Sequence, residues 1–153
     1  MIEPYQWLYA QAQALGYNPA HVGPASVDLC LGDVKVLDKK HIRWSGYSVL
    51  FEPWVFYLCS TLECITVPLT HCAFLSMRSS LARRGLGHKM AGFIDPGFTG
   101  QITLELETSM PIEVTHGARI VQLIYMRLTE TTERPYSGRY LGQRGPTESY
   151  REE

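Results

Sequence analysis

After residue 25, two segments of the chain alternate hydrophobic and polar residues in the pattern that half-buried β-strands require. "SVDLCLG" and "GQITLELET" each place Val, Ile or Leu at every second position. "VLFEPWVFYL" and "ECITVPL" are rich in β-branched and aromatic residues, and "ARIVQLIYMRL" is nearly continuous and apolar. Because Gly and Pro separate these short segments, the pattern predicts an all-β barrel or sandwich.

Two segments depart from this period, and the end of the chain has little core character. "IEPYQWLYAQAQALGY" predicts a short N-terminal helix, since Pro4 suits a first helical turn and Gly16 can end it. "RSSLARRGL" predicts a short internal helix that Ser79 or Ser80 would cap. The tail over residues 129–153 includes "SGRYLGQRGPT". Such a tail is either a disordered end or a flap that orders over a ligand.

Length and composition predict a single domain over residues 1–153, with 129–153 as its C-terminal tail or lid. The chain has 153 residues, of which 45% are hydrophobic, as is usual for a protein with a core. A net charge of −1 gives no global sign of nucleic-acid binding. We find no signal-peptide pattern and no apolar run of the roughly 20 residues that span a bilayer. We therefore expect a cytoplasmic protein without membrane or nucleic-acid polymer partners.

The cysteines predict free thiols rather than a disulfide framework or a catalytic zinc site. Cys30, Cys59, Cys64 and Cys72 form no Cys-x-x-Cys pair. Without a secretory signal, free thiols in a reducing compartment are expected. The His-x-Glu…Pro-Cys-x-x-Cys signature of zinc deaminases is missing, and so is the Gly-x-x-x-x-Gly-Lys phosphate loop.

Three polar stretches are candidates for chemistry, and each has a plainer interpretation. The segment 78–84 combines hydroxyls with arginines, as a phosphate cradle or as a capped surface helix. Asp95, before Pro-Gly, is typical of a turn, yet beside an exposed aromatic it could bind a sugar hydroxyl. Glu105 lies on the polar face of a predicted strand. That face is either solvated or lines a cleft, where a carboxylate can act as general acid and base.

Together these segments resemble the dCTP deaminase branch of the trimeric dUTPase superfamily. The matching segments occur in family order and are "ASVDLCLG", "MRSSLARRGL", "AGFIDPGFTGQITLEL", "GARIVQLIYMRL" and "RYLGQRGPT". They cover most of the chain from Ala25 to Thr147. The resemblance implies a distorted β-barrel or jelly-roll subunit, dUTPase-like, in a homotrimer whose active sites lie between subunits. It also implies that the C-terminal segment closes over the nucleotide as a lid.

The resemblance assigns catalysis to four residues. Glu105 matches the catalytic glutamate, which takes a proton from water and delivers it to N3 and then to the leaving amino group. Ser79, Arg83 and the main-chain carbonyl of Ala91 match groups that orient this water. No protein-bound metal and no zinc takes part, so the carboxylate and its neighbours replace the metal of other deaminases.

The resemblance also implies a set of nucleotide-binding residues. Arg78 and Ser80 match phosphate contacts, Asp95 matches the group that holds the deoxyribose 3′-hydroxyl, and Phe98 matches the aromatic that packs on the sugar. The matched lid contacts to the phosphates are Tyr136, Arg139 and Gln143. Mg²⁺ would be bound through the nucleotide triphosphate rather than in a protein cage.

The implied activity is that of a hydrolase of nucleotide metabolism: zinc-independent deamination of dCTP to dUTP and ammonia at a cyclic amidine C–N bond. Three alternatives stay open. They are a bifunctional enzyme that also cleaves the triphosphate to give dUMP and pyrophosphate, a plain dUTPase, and a non-catalytic nucleotide-binding regulator. Glu105 argues against the plain dUTPase, and the intact set of Ser79, Arg83, Asp95 and Glu105 argues against the regulator.

Two positions depart from the family pattern. In "GLGHKMAG", His88 matches the usual histidine, but Met90 stands where a threonine is usual. That loop borders the base in relatives and takes part in inhibition by dTTP, so dTTP is a candidate inhibitor here. Glu107 stands where a polar amide or small residue is common, and the sequence offers no reason for it.

Overall fold

The computed structural model describes residues 1–36, 43–89 and 91–149. The helices are α1 (Tyr5–Leu15) and α2 (Ser79–Ala82), with a 3-10 turn at Pro19–His21. The strands are β1 (Val27–Val36), β2 (Arg43–Ser45), β3 (Ser48–Phe51), β4 (Tyr57–Thr66), β5 (His71–Met77), β6 (Leu86–His88), β7 (Phe93–Ile94), β8 (Thr99–Thr108), β9 (Ile112–Thr115) and β10 (Arg119–Arg127). In the described ranges, no helix combines the length and apolar character that a membrane crossing requires.

The predicted fold class is confirmed, because ten antiparallel strands form two sheets and the only α-helices in the described ranges are the two that were expected. A seven-stranded sheet has the order β6-β8-β4-β1-β10-β5-β7, and a three-stranded sheet has the order β2-β3-β9. On β8 the alternation is strict, with Leu104 and Leu106 buried and Glu105 partly exposed. The sequence pattern missed β5, whose "HCAFLSM" begins with three consecutive buried residues and therefore shows no alternation.

Strand β1 bends the large sheet, because its two halves pair with different neighbours. Residues 27–30 pair with β10, whereas residues 31–36 pair with β4. The register shifts within each pairing, between Leu29 and Cys30 and between Leu31 and Val34. A strand that switches partners through an irregularity forms a corner of a curled sheet. Gly32 lies at this corner, where a Cβ atom would be 2.8 Å from Ser60 Oγ and 2.9 Å from the Thr61 carbonyl oxygen. The bend therefore requires glycine.

Helix α1 packs against this sheet as the sequence predicts. It buries Leu8, Ala12 and Leu15, follows Pro4 and ends at Gly16 in a left-handed conformation. Each turn contributes an apolar residue to one stripe, which is how a short helix gains stability from packing.

The N-terminus is fastened to β10 by a buried carboxylate. The Glu3 N–H donates to the Tyr125 carbonyl at 3.0 Å, so residues 1–3 extend the sheet. The Glu3 carboxylate is buried and accepts hydrogen bonds from His71 Nε2 at 2.9 Å and Arg127 Nε at 2.7 Å. Burial alone would raise the pKa of Glu3, but the hydrogen bonds from Arg127 and His71 outweigh it and hold the pKa below its ordinary value.

All four cysteines lie in the described ranges and are free thiols, which agrees with the prediction. Burial raises the pKa of Cys59. Burial and the neighbouring Glu63 carboxylate raise the pKa of Cys30 to about 12. In the absence of a metal ion, both thiols are therefore neutral at physiological pH and poor nucleophiles.

The first prediction concerns Glu3→Gln. The folded protein binds a proton at Glu3 less readily than the unfolded chain does. The ionised carboxylate therefore stabilises the fold at pH values above its ordinary pKa of 4.5. This stabilisation is lost as the pH falls through the lower pKa of the folded state. We expect the variant to be less stable than the wild type by about 1–3 kcal/mol of unfolding free energy at pH 7. Between pH 7 and pH 4, the unfolding free energy of the variant should fall by less than that of the wild type. Urea unfolding at pH 7 and pH 4, at matched protein concentration, measures both.

Glu113→Gln, on the exposed side of β9, is the matched control and should change little. An equal acid dependence in the wild type and Glu3→Gln would contradict the role assigned to this carboxylate.

Candidate active site

A cavity of about 520 Å³ lies beside β8. Four parts of the chain form its wall: the start of β4, the segment 91–95 that contains β7, strand β8, and the C-terminal segment 136–149. The lining is mostly apolar and aromatic, with a few polar groups, as is usual for small-molecule sites. Among the described residues, the lining includes three carboxylates and no lysine or arginine; the carboxylates are Asp95, Glu105 and Glu148.

The Glu105 carboxylate lines the cavity and lies beside a buried histidine without hydrogen-bonding to it. Strand pairing sets it opposite Leu58 of β4, and both side chains line the cavity. Its Oε2 lies 3.1 Å from Nε2 of His88, whose side chain is buried. The two atoms are close enough for an ion pair, but their geometry is not that of a hydrogen bond, and neither has another partner in the described part of the chain. The Glu105 side chain is 25% exposed, and because Oε2 is buried against His88, water reaches the carboxylate from the cavity side.

Glu107 has a different environment, although it lies on the same face of β8. Its Oε2 pairs with Lys89 Nζ at 2.5 Å, and both side chains are well exposed. It does not line the cavity. The structure thus gives Glu107 a surface role and distinguishes it from Glu105, two residues earlier.

Asp95 confirms the turn interpretation and also lies at the cavity, while its contact with a sugar hydroxyl stays a prediction. The Phe98 N–H donates to the Asp95 carbonyl at 3.2 Å, so Asp95 to Phe98 form a turn. Asp95 also lines the cavity. Phe98 is buried against the Tyr136 ring, with centroids 5.8 Å apart in an edge-to-face arrangement. The exposed ring of Phe93 lines the cavity as well.

The C-terminal segment packs along the open edge of β8. The Gly142 N–H donates to the Thr99 carbonyl at 2.7 Å, and the Gln101 N–H donates to the Gln143 carbonyl at 3.0 Å. The Gly145 and Thr147 N–H groups donate to the side chains of Gln101 and Thr103, at 2.6 and 3.1 Å. These bonds occupy backbone groups that an unpaired strand edge would expose. Up to residue 149 the segment is ordered against the sheet and forms one wall of the cavity.

Gly100 allows this close approach. Its φ is +153°, and a Cβ atom there would lie 3.1 Å from both the N and the O of Gln143. A side chain at this position would push against backbone atoms, which have little freedom to move. The fit between β8 and the C-terminal segment therefore depends on a residue without a side chain.

Five predicted site residues do not line this cavity. They are Arg78, Ser79, Ser80, Arg83 and Arg139. The prediction that Ser79 or Ser80 caps α2 is wrong, because Arg78 occupies the cap position and no side chain bonds to the helix end. The Arg78 guanidinium is held by Asp28 at 3.2 Å and by the Arg119 carbonyl at 3.4 Å.

The cavity brings together the other predicted residues, which are Ala91, Asp95, Phe98, Glu105, Tyr136 and Gln143. Met90 lies outside the described residues. Sequence reasoning missed Thr103, although its place on the polar face with Glu105 was a usable signal. It also missed Leu58 and Tyr140, for which no local pattern exists, because their role follows from pairing between distant segments.

The fold and cavity define an all-β protein whose C-terminal segment forms one wall of a largely apolar pocket that contains three carboxylates. The family model described as dCTP deaminase-like matches residues 9–128. A curated relative from Sulfurihydrogenibium sp., named "dCTP deaminase, dUMP-forming", is 36% identical over 92% of this chain and 91% of its own length. An Aquifex aeolicus relative of the same name is 42% identical over 84% of this chain and 80% of its own. The chain belongs to the dCTP deaminase-like family.

A solved structure supports the fold independently. The 2′-deoxycytidine 5′-triphosphate deaminase of Agrobacterium tumefaciens superposes with a TM-score of 0.66 at 21% identity. The match covers 81% of this chain and 47% of that one, so this chain spans about half the length of that solved protein. The predicted family resemblance is confirmed.

The second prediction concerns Gly100→Ala. We expect the sheet to remain folded while the C-terminal segment loosens, because the added methyl group meets the Gln143 backbone. Hydrogen–deuterium exchange should rise over residues 140–147 and stay unchanged over β1 and β10. Gly87→Ala is the control, since its Cβ would meet its nearest neighbour at an ordinary 3.8 Å. Equal exchange of the segment in Gly100→Ala and the wild type would show that the close approach is not needed.

Proposed function

We propose that the protein hydrolyses dCTP to dUMP, ammonia and pyrophosphate, with Glu105 as the general acid and base. The observation that carries this is the partly exposed Glu105 carboxylate on the wall of the cavity, whose buried Oε2 faces His88 without a hydrogen bond. Both relatives above have names that specify dUMP formation. They favour the bifunctional alternative over release of dUTP, which was the main expectation from the sequence.

Deamination needs one group that accepts a proton and later returns it. Glu105 takes a proton from water, and the resulting hydroxide adds to C4 of the cytosine as N3 is protonated. A proton then passes to the amino group, the C4–N bond breaks, ammonia leaves and the carbonyl of uracil forms. His88, 3.1 Å from Oε2, positions the carboxylate for these transfers. The Ala91 carbonyl, at the cavity wall, helps to orient the water.

The second step is hydrolysis of the triphosphate between the α and β phosphorus atoms. Water attacks the α phosphorus, pyrophosphate leaves, and dUMP remains. We propose that the substrate is the Mg²⁺ complex of the nucleotide, with the ion carried on the phosphates. Asp95 holds the 3′-hydroxyl, and Tyr136 and Gln143 close the cavity over the nucleotide as parts of a lid.

Charge argues that one chain cannot bind this substrate alone. The described lining has three carboxylates and no basic side chain, whereas the triphosphate is strongly anionic. Arg78 and Arg83, which flank α2, could supply these cations from a neighbouring subunit, together with Ser79 and Ser80 of the helix itself. We therefore propose a homotrimer in which Glu105 of one subunit works with α2 of the next.

An assay of the products tests the activity. The protein is incubated with dCTP and Mg²⁺, and dUTP, dUMP and pyrophosphate are separated over time. Equal formation of dUMP and pyrophosphate without accumulation of dUTP is the expected result. Accumulation of dUTP would indicate an enzyme that only deaminates dCTP. Turnover of dUTP but not dCTP would indicate a dUTPase. Nucleotide binding without turnover would indicate a regulator. The same assay with added dTTP tests the predicted inhibition.

The third prediction concerns Glu105→Gln. The variant should fold and bind dCTP but deaminate about 10²- to 10⁴-fold more slowly, because glutamine cannot accept the proton from water. The loss should appear in kcat more than in KM, since the carboxylate acts on the transition state. Glu107→Gln is the matched control on the same strand face, and only its Lys89 pair is lost. Rapid turnover by Glu105→Gln would refute the mechanism.

The fourth prediction tests whether the site is shared. Arg83→Ala and Glu105→Gln should each be inactive alone. When the two chains are co-expressed in equal amounts, about a quarter of the shared sites should combine an intact Arg83 with an intact Glu105 from different subunits. Activity should therefore reappear in the mixed trimers. No recovery in mixtures shown by mass spectrometry to contain both chains would mean that each chain builds its own site.

A further inference from the structure

Three metal-ligating side chains converge at the corner of the large sheet, outside the cavity. Cys30 Sγ lies 3.7 Å from His21 Nδ1, and the Cys30 N–H donates to Glu63 Oε2 at 2.9 Å. The three ligand atoms lie within 4.8 Å of one another. No other group of this kind occurs in the residues that the structure describes.

Irregular backbone at the corner aims two of these side chains. Cys30 follows the register shift of β1 against β10. Glu63 lies in a bulge of β4, between the pairs Ser60–Thr103 and Cys64–Gln101. Bulges of this kind redirect side chains and are built features of a sheet rather than defects.

The third side chain comes from a separate element. His21 ends the 3-10 turn at Pro19–His21, which is fixed by the Asn18 side chain accepting from the Ala20 N–H at 2.9 Å. Each of the three residues is thus positioned by its own backbone. The Glu63 carboxylate is held in addition by the Cys30 N–H at 2.9 Å.

The donor set and its spacing suit zinc. Thiolate, imidazole and carboxylate are the common zinc ligands, and bonds of about 2.3 Å to sulfur and 2.0 Å to nitrogen at a tetrahedral angle separate the two atoms by about 3.5 Å. The observed separation is 3.7 Å. Hard cations such as Mg²⁺ and Ca²⁺ prefer oxygen ligands alone. Arg119, the nearby cation, is paired with Asp28 at 3.3 Å.

We propose that His21, Cys30 and Glu63 bind a zinc ion that fastens the N-terminal turn to the corner of the sheet. A water completes the tetrahedron. None of the three residues lines the cavity around Glu105, so the ion stabilises the fold and takes no part in deamination. The alternative is that the three residues bind no metal. Glu63 then only accepts a hydrogen bond from the Cys30 N–H, and the Cys30 thiol bonds to His21.

Cobalt substitution distinguishes the two accounts. The reduced, full-length protein is stripped with a chelator and titrated with Co²⁺. We expect a single equivalent to produce a thiolate-to-cobalt charge-transfer band with intense tetrahedral d–d bands, and Zn²⁺ to displace it. Zn²⁺ should also raise the Tm of the stripped protein.

Matched variants assign the ligands. Cys30→Ser should lose the thiolate band, whereas Cys64→Ser, which removes the partly exposed thiol next to Glu63, should keep it. Glu63→Gln retains an acceptor for the Cys30 N–H, and His21→Ala alters only the turn, so both should fold. Each should weaken metal affinity by about tenfold or more.

The rate of dCTP deamination should be the same in the zinc-loaded and the stripped protein. A wild-type titration without a thiolate band, or a band that persists in Cys30→Ser, would overturn the proposal. If Cys30→Ser does not fold, unchanged affinity in both His21→Ala and Glu63→Gln overturns it equally.

Discussion

The change of partner along β1 is the constraint on which the rest of the molecule depends. Its first half pairs with β10 and its second half with β4, and Gly32 allows the bend because a Cβ atom would collide with Ser60 and Thr61. The bend lets residues near both ends of the strand order line one cavity. Phe93 of the terminal strand β7 and Glu105 of β8 line the same cavity, although four strands lie between β7 and β8 in the sheet order.

The two partners of β8 explain why Glu105 faces a cavity rather than solvent. Strand β6 pairs with residues 106–108, and the C-terminal segment bonds to residues 99–103. The Glu105 carbonyl accepts from the Lys89 N–H at 2.9 Å, so Glu105 lies where the cover by β6 ends and next to the residues that the C-terminal segment contacts. The His88 side chain, from β6, shields one carboxylate oxygen from water. Strand edges usually need protection from unwanted pairing, and here the protecting segments also shape the site.

The sequence could predict what depends on local periodicity, and little beyond it. Alternation predicted β8 and the face that carries Glu105, and capping residues predicted α1, because both signals lie within a few residues. Periodicity could not distinguish Glu105 from Glu107, since both lie on one face of one strand. Their difference comes from His88 and Lys89, which the β6–β8 pairing brings alongside. The wall residue Leu58 depends on pairing between segments far apart in the chain.

Charge balance connects the fold to the proposed assembly. Arg78 and Arg83, the arginines proposed to bind the triphosphate, flank α2, whereas the carboxylates line the cavity beside β8. Neither arginine lines that cavity, although β7, which pairs with β5, does. The proposed trimer would place the cations and the general base in different subunits, which keeps them from pairing with each other before substrate arrives. In that proposal a single chain has the acid–base group, and association with another copy supplies the cations.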